Sequence, residues 1–286
     1  MLDPTETTYP ADYLEFRRRV VRGVRFDRLD LTIMHGDGNV IAVVDEVRSN
    51  LSDVDVDGVL AKEVCTSFRS PRVDGISFLR TTGDRVRMNY FERDGTNSQM
   101  CGNALRCSAR YCVERGYLDE SGFILTGDGP KWVSTVAGLT QVALGAGREF
   151  TRVADDQYFV FSGLAHLVVL TGNLDAVDVQ ARGAELRYDR ELCLRLRHPE
   201  GLHVDFMRRD DDGIRIRTYE VGVEAETLAC GTGAVGSAYV AHRIWDLPYP
   251  IRVRTPGGEL TVDSGAHGLL LSGTVGYLFS GAHVGV

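Results

Sequence analysis

Two short stretches set a cysteine in the same local company. Cys101-Gly102-Asn103 and Cys230-Gly231-Thr232 each open a run of small and apolar residues. Aligned on the thiols, the stretches also share Ser108 with Ser237 and Ala109 with Ala238. Such a start to a helix has a physical use. The first turn leaves N–H groups unpaired and carries the positive end of the helix dipole. Glycine lets a ligand approach the backbone, and a carboxylate can be held there by main-chain N–H groups. The same field favours thiolate over thiol. Two such helix starts facing one another would clamp a single carboxylate and set one sulfur on each side of the neighbouring carbon. That arrangement suits inversion of an α-carbon without a cofactor. One group takes the proton from one face while the other delivers a proton to the opposite face. The helix N-termini stabilise the charge that builds on the carboxylate.

The elements around the cysteines repeat. Residues 29–46 read as strand, glycine turn, strand. Two more strands follow, with turns at Thr82-Gly83-Asp84 and Asp94-Gly95, then a helix from Cys101 to about Glu114 and strands to about residue 146. In the second half, 156–172 is again strand, turn, strand, and 203–222 is a hairpin around Asp211-Asp212-Gly213. A helix runs from Cys230 to about Ile244, then a hairpin turns at Pro256-Gly257-Gly258. The expected fold is α+β, two similar domains related by a pseudo-twofold, each a mixed, largely antiparallel sheet around a central helix. Expected boundaries are 29–146 and 147–271, with 272–286 returning to the first domain. Residues 1–28 read as an extension carrying a basic amphipathic helix on the surface.

The chain has 286 residues, 32 Lys and Arg against 40 Asp and Glu, and a formal charge of −8. A nucleic-acid partner is not expected, because non-specific binding needs a basic face. No apolar run approaches bilayer length, and the acidic N-terminus shows no signal-peptide core. A cytoplasmic enzyme acting on a small molecule is the expectation. The six cysteines form no C-x2-C pair, so neither a zinc site nor a disulfide scaffold is expected. Cys65, Cys107, Cys112 and Cys193 read as small buried hydrophobes.

Several motifs, in order, resemble those of the diaminopimelate epimerase family, amino-acid epimerases and racemases that work without pyridoxal phosphate. They are MHGDGNVIAVVD at 34–45, DGTNSQMCGNALRCSARY at 94–111, SGLAH at 162–166, VGVEAETLACGTGA at 221–234 and TPGGELTV at 255–262. The resemblance implies Cys101 and Cys230 as the acid/base pair, with His166 and Glu220 tuning the thiols. It implies Gly102, Asn103, Gly231 and Thr232 as the carboxylate clamp and Asn39 beside the substrate. It implies no cofactor, no metal and a homodimer.

The departures from the family pattern cluster where the far end of diaminopimelate would bind. Glu92, Leu164 and His203 stand in place of asparagines, and Val221 replaces an arginine. One extra residue in 220–226 leaves Glu220 and Glu224 as rivals for one position. Losing an arginine removes a charge-assisted partner for a distal carboxylate, and Glu92 adds a negative charge. Both changes favour a basic or neutral polar side chain; a divergent diaminopimelate epimerase is the alternative. GTGAVG at 231–236 also fits the weak G-x-G-x-x-G dinucleotide signature, a remote oxidoreductase reading. A cysteine hydrolase would not explain two equivalent thiol motifs.

Overall fold

The computed structural model describes residues 12–53, 55–145 and 147–280. The chain divides into two compact units, one running to Thr140 and resuming at Val275, the other Gln141–Thr274.

The first unit begins with a short helix, α1 (Tyr13–Arg17), and a hairpin of β1 (Val20–Val21) and β2 (Val24–Arg25). This differs from the expected surface helix. Phe16 and Phe26 are each 1 % exposed, and they join Leu31, Phe68 and Phe78 in the unit's hydrophobic core. With Tyr13 also buried, three rings in one stretch outweigh the arginines, which lie outward. Residues 1–11 of the expected extension lie outside the described residues.

Next come β3 (Asp30–Gly36) and β4 (Asn39–Asp45), a hairpin closed by Asp37 and Gly38 at φ 48° and 91°. Asp-Gly is the pair that a tight hairpin of this hand selects. After α2 (Gly58–Thr66), β5 (Gly75–Thr82) returns parallel to β4. Then β6 (Arg85–Glu92) pairs antiparallel to β5, and the two-residue β7 (Asn97–Ser98) folds back on β6. The helix α3 (Gly102–Glu114) follows, then β8 (Ser121–Thr126) parallel to β6 and β9 (Gly129–Val136) antiparallel to β8. The segment Val275–Ser280 pairs antiparallel to β3. Helix α3 is buried on nearly every side, packed on β3, β4, β5, β6, β9 and Val275–Ser280.

The boundary at Thr140 falls within β10 (Leu139–Gly145). The second unit then repeats the first. β11 (Arg148–Ala154) flanks β12 (Gln157–Phe161), which forms a hairpin with β13 (Ala165–Leu170). The crossover carries α4 (Val179–Arg187) and α5 (Arg190–Arg195) and leads to β14 (His203–Asp210), parallel to β13. β15 (Gly213–Glu220) pairs antiparallel to β14, and the short β16 (Ala225–Thr227) folds back on it. Helix α6 (Gly231–Trp245) follows, then β17 (Ile251–Thr255) parallel to β15, β18 (Gly258–Gly265) and β19 (Gly268–Gly273). β20 (Val275–Ser280) completes the first unit. Hairpin, parallel crossover, hairpin, short strand, central helix, parallel return and hairpin thus occur in the same order in both units. The duplication is one of hydrogen-bond topology as well as sequence. Among the described residues no helix is long and apolar enough to cross a membrane.

Candidate active site

Both cysteines occupy the N-cap of a central helix. Cys101 has φ −135° and ψ 126°, Cys230 φ −113° and ψ 115°, and each carbonyl accepts the first helical N–H, from Leu105 and Ala234. Gly102 and Gly231 are the first helical residues, and Asn103 and Thr232 the second. All four are buried.

In the second unit, strand register gathers the polar groups beside Cys230. His166 on β13 sits opposite His203 on β14, so their rings stack with centroids 4.7 Å apart. Two residues along β14, on the same face, comes Asp205, and Thr218 of β15 lies across from it. Asp205 accepts from His166 Nδ1 at 2.7 Å and from the Thr218 hydroxyl at 2.6 Å. His166 Nε2 then accepts from the Thr232 hydroxyl at 2.9 Å, and the Thr232 oxygen lies 3.5 Å from Cys230 Sγ. The self-consistent proton assignment runs one way: Cys230 donates to Thr232, Thr232 to His166, and His166 to Asp205. His166, Asp205 and Cys230 are all buried, and Asp205 accepts two bonds, as a buried carboxylate must.

The Cys230 thiol is held well above the usual cysteine range. Burial is the first cause, and the carboxylates of Glu220 and Asp205 add to it; the Thr232 hydroxyl and the Gly233 N–H act the other way and do not prevail. The expectation that the helix start yields a thiolate is therefore corrected at Cys230. Desolvation and two negative neighbours outweigh the dipole. His203 is neutral, its pKa far below the ordinary value because it is buried and faces His166 and Arg187. Its Nδ1 accepts from the Val221 N–H at 3.2 Å.

Glu220 and Glu224 differ in their neighbours. Glu220 ends β15 and acts electrostatically on Cys230. Glu224 instead accepts from Arg187 at 3.2 Å and from the Tyr188 hydroxyl at 2.9 Å. Val221 is half-buried, while Leu164 is 40 % exposed in the turn before β13.

The first unit surrounds Cys101 differently. Tyr90 on β6 leans along its strand so that its hydroxyl reaches Glu92 at 3.0 Å and also bonds with the Cys101 thiol. Glu92 accepts in addition from the Ser98 hydroxyl at 2.9 Å, and burial pushes its pKa up. The expectation of a negative charge simply added to the pocket is modified accordingly. Glu92 is tied to the Cys101 side by two hydroxyls and is easier to protonate than an exposed carboxylate. Asn103 turns its side-chain oxygen to Arg106, which also pairs with Asp37 in the β3–β4 turn. Asn103 is thereby pinned by its own helix. Asn39 is half-buried at the start of β4, opposite Gly36.

Gly233 and Gly236 of GTGAVG serve packing. A Cβ at Gly233 would strike the Asp205 carboxylate, and one at Gly236 would meet the Ser162 hydroxyl at 2.9 Å and Val160 at 3.0 Å. They let α6 approach its sheet closely. That sheet is not doubly wound and parallel, so the dinucleotide reading loses its structural context.

The model of the diaminopimelate epimerase family matches residues 31–145 and 158–274, once for each unit. The chain belongs to the diaminopimelate epimerase family. The diaminopimelate epimerase of Methanocella arvoryzae is 30 % identical over 264 residues, covering 82 % of this chain and 89 % of the relative. Among solved structures, a phenazine biosynthesis protein of the PhzF family from Bacillus anthracis superposes with a TM-score of 0.66 at 16 % identity, covering 87 % of this chain and 96 % of that one. A probable proline racemase from Agrobacterium radiobacter superposes with a TM-score of 0.61 at 15 % identity, covering 90 % and 93 %. These two share the fold. As a member of the diaminopimelate epimerase family, the chain is an isomerase of the epimerase and racemase class. Asp205, Thr218 and Tyr90 were not among the residues singled out from the sequence. The available signal was weak: an aspartate inside the apolar strand Val204–Met207, where aspartate is disfavoured without a partner.

Proposed function

We propose that this member of the diaminopimelate epimerase family inverts the α-carbon of a free amino acid by a two-thiol, two-base reaction, and that the amino acid carries a basic or neutral polar side chain. The reaction reading is carried by the two N-cap cysteines, each joined to its own acid/base partners in a duplicated fold. One thiolate removes the α-proton and the opposite thiol supplies a proton, the roles exchanging for the reverse direction. Cys230, held as a thiol, acts as the acid in the resting enzyme. The first-turn N–H groups of α3 and α6 hold the substrate carboxylate, with Gly102, Asn103, Gly231 and Thr232 supplying the backbone. Tyr90 and Glu92 position the Cys101 proton; Thr232, His166 and Asp205 position that of Cys230.

The side-chain assignment rests on the loop after β15. Val221 offers no cation there, and the arginine that does reach the loop, Arg187, is paired with Glu224 and with the Glu200 carbonyl. That guanidinium is thereby committed to partners other than a distal carboxylate. A second reading, diaminopimelate itself, is favoured by the names of relatives such as that of Methanocella arvoryzae.

Proton NMR of the α-hydrogen in D2O separates the two. The panel is diaminopimelate, lysine, ornithine, arginine, histidine, a ureido amino acid, glutamate and alanine, each enantiomer separately. Exchange with inversion is expected for a basic or ureido member. Preference for diaminopimelate would overturn the side-chain assignment and leave the reaction standing. The paired change Val221→Arg with Glu92→Asn is expected to move preference toward diaminopimelate.

A further inference from the structure

One residue in the Cys230 cluster has no task in the proton relay. His203 is buried, stacked on His166 and accepts from the Val221 amide, yet it faces the chemistry. A ring nitrogen of His166, a ring nitrogen of His203 and Sγ of Cys230 all lie within 4.8 Å of one another, and all three residues are buried. We propose that His166, His203 and Cys230 form a binding site for a soft divalent transition metal of the zinc type, and that its occupation reversibly blocks Cys230.

The donor set argues the metal class. Two imidazoles and one thiolate match zinc and its neighbours, whereas calcium and magnesium need several oxygen ligands. The carboxylate bonded to His166, Asp205, already accepts from His166 and Thr218. That carboxylate also supplies the outer support usual for a metal-bound histidine. By taking the Nδ1 proton of His166 it fixes the tautomer and turns the Nε2 lone pair toward Thr232 and Cys230. The ion displaces the Thr232 hydroxyl from Nε2. It also competes with the long bond from Val221, a half-buried residue whose amide water can then satisfy. Nitrogen and sulfur donors around a tetrahedral zinc sit about 3.3–3.5 Å apart, given bond lengths of roughly 2.0–2.3 Å. The cluster therefore has to contract by about 1.5 Å at most, through movement of the Cys230 thiol and the two rings.

Binding is a simple exchange. The metal–sulfur bond forms, the S–H bond breaks, and the proton leaves to solvent with no change of oxidation state. Cys230 can then neither give nor take a substrate proton, and His166 is cut off from Thr232.

The probe is Co2+ added to the reduced, chelator-treated full chain without oxygen. One equivalent is expected to bind, with a thiolate-to-cobalt charge-transfer absorption and the visible spectrum of a four-coordinate ion; one equivalent of Zn2+ should abolish both. Cys230→Ala should lose the charge-transfer absorption. His203→Asn and, as a second variant in case the first folds poorly, His203→Gln should bind at least about tenfold more weakly. Zn2+ should stop α-proton exchange in the parent chain, a chelator should restore it, and the His203 variants should need at least about tenfold more Zn2+. No thiolate absorption at one equivalent would overturn the proposal. So would absorption that survives Cys230→Ala, or unchanged affinity in a folded His203 variant. The absorption readout needs no substrate, so it stands apart from the substrate assignment above.

Discussion

The two cysteines begin equivalent helices in equivalent units, yet apart from one glutamate their neighbours on the sheets differ. Strand register makes the comparison residue by residue. Ile41 faces Gly75 in the first unit as His166 faces His203 in the second, and Ser77 faces Tyr90 as Asp205 faces Thr218. Gly75 lies opposite Glu92, the place that Glu220 takes by the same register. Only the glutamates are kept. Above Gly75, where the second unit places the His203 ring, the first unit has the Tyr90 phenol; a Cβ at Gly75 would strike it. One thiol is thus served by a phenol and a carboxylate, the other by a hydroxyl, an imidazole and a carboxylate. Duplication preserved the helix start and the glutamate while the relay diverged. An acid and a base that exchange roles need matched positions, but they do not need matched neighbours.

The largest effect should come from the thiols themselves. Cys101→Ala and Cys230→Ala are each expected to cut racemisation by about 10³-fold or more, within the span that loss of an acid/base group produces. Substantial racemisation in either variant would break the pairing. Next should come Asp205→Asn, which leaves His166 without the acceptor that fixes its tautomer. A fall in kcat of about 10²-fold with little change in KM is expected. A rise in KM with kcat unchanged would make Asp205 a structural residue only.

The comparison sharpens with pH. The Cys230 thiol is held high by burial first and by Glu220 next. In the direction where Cys230 is the base, activity should rise as pH rises through and beyond neutrality. Removing a negative neighbour makes thiolate easier to form, so Glu220→Gln should move that limb to lower pH. Thr232→Val removes a group that lowers the thiol pKa and should move the limb to higher pH. On the first-unit side, Tyr90→Phe should change the rate by about tenfold and leave the Cys230 limb in place. Shifts of the opposite sign would undo the electrostatic account. The stability consequence has one sign as well. A thiol whose pKa is raised in the folded state contributes stability that is complete below the unfolded value of 9.0 and is lost as pH rises above it. Urea unfolding should report that loss, diminished in Cys230→Ala.

Much of this was legible in the sequence. The strands, the two central helices and both N-cap cysteines follow from glycine turns, short apolar runs and the repeated Cys-Gly. The helices α2, α4 and α5 were not read out, although Asp57, Asp178 and Asp189 each cap a start by accepting an N–H from three residues on. Their apolar faces are too short for periodicity to stand out. The Asp205 and Tyr90 contacts lie further from legibility, because they depend on parallel register. His166 meets His203 and Asp205 through a parallel pairing of residues 37 apart in sequence, and no local pattern encodes it. The state of Cys230 was misread for a related reason. The dipole is a property of one helix, while burial and the Glu220 and Asp205 charges are properties of the assembled unit.

The smallest predicted effect tests the divergence most directly. Ser77 holds the position that Asp205 holds in the second unit, and its hydroxyl is buried without a hydrogen-bond partner among the described residues. A buried polar group left unpaired costs about 1–3 kcal/mol, so removing it should be neutral or stabilising. Ser77→Ala is expected to leave racemisation unchanged and to keep or raise Tm, against the 10²-fold loss at Asp205. Thermal unfolding together with the α-proton exchange rate would check both halves. A Tm drop, or a rate loss beyond a few-fold, would mean that Ser77 serves Cys101 as Asp205 serves Cys230. The first relay would then be a reduced copy of the second, not a replacement for it.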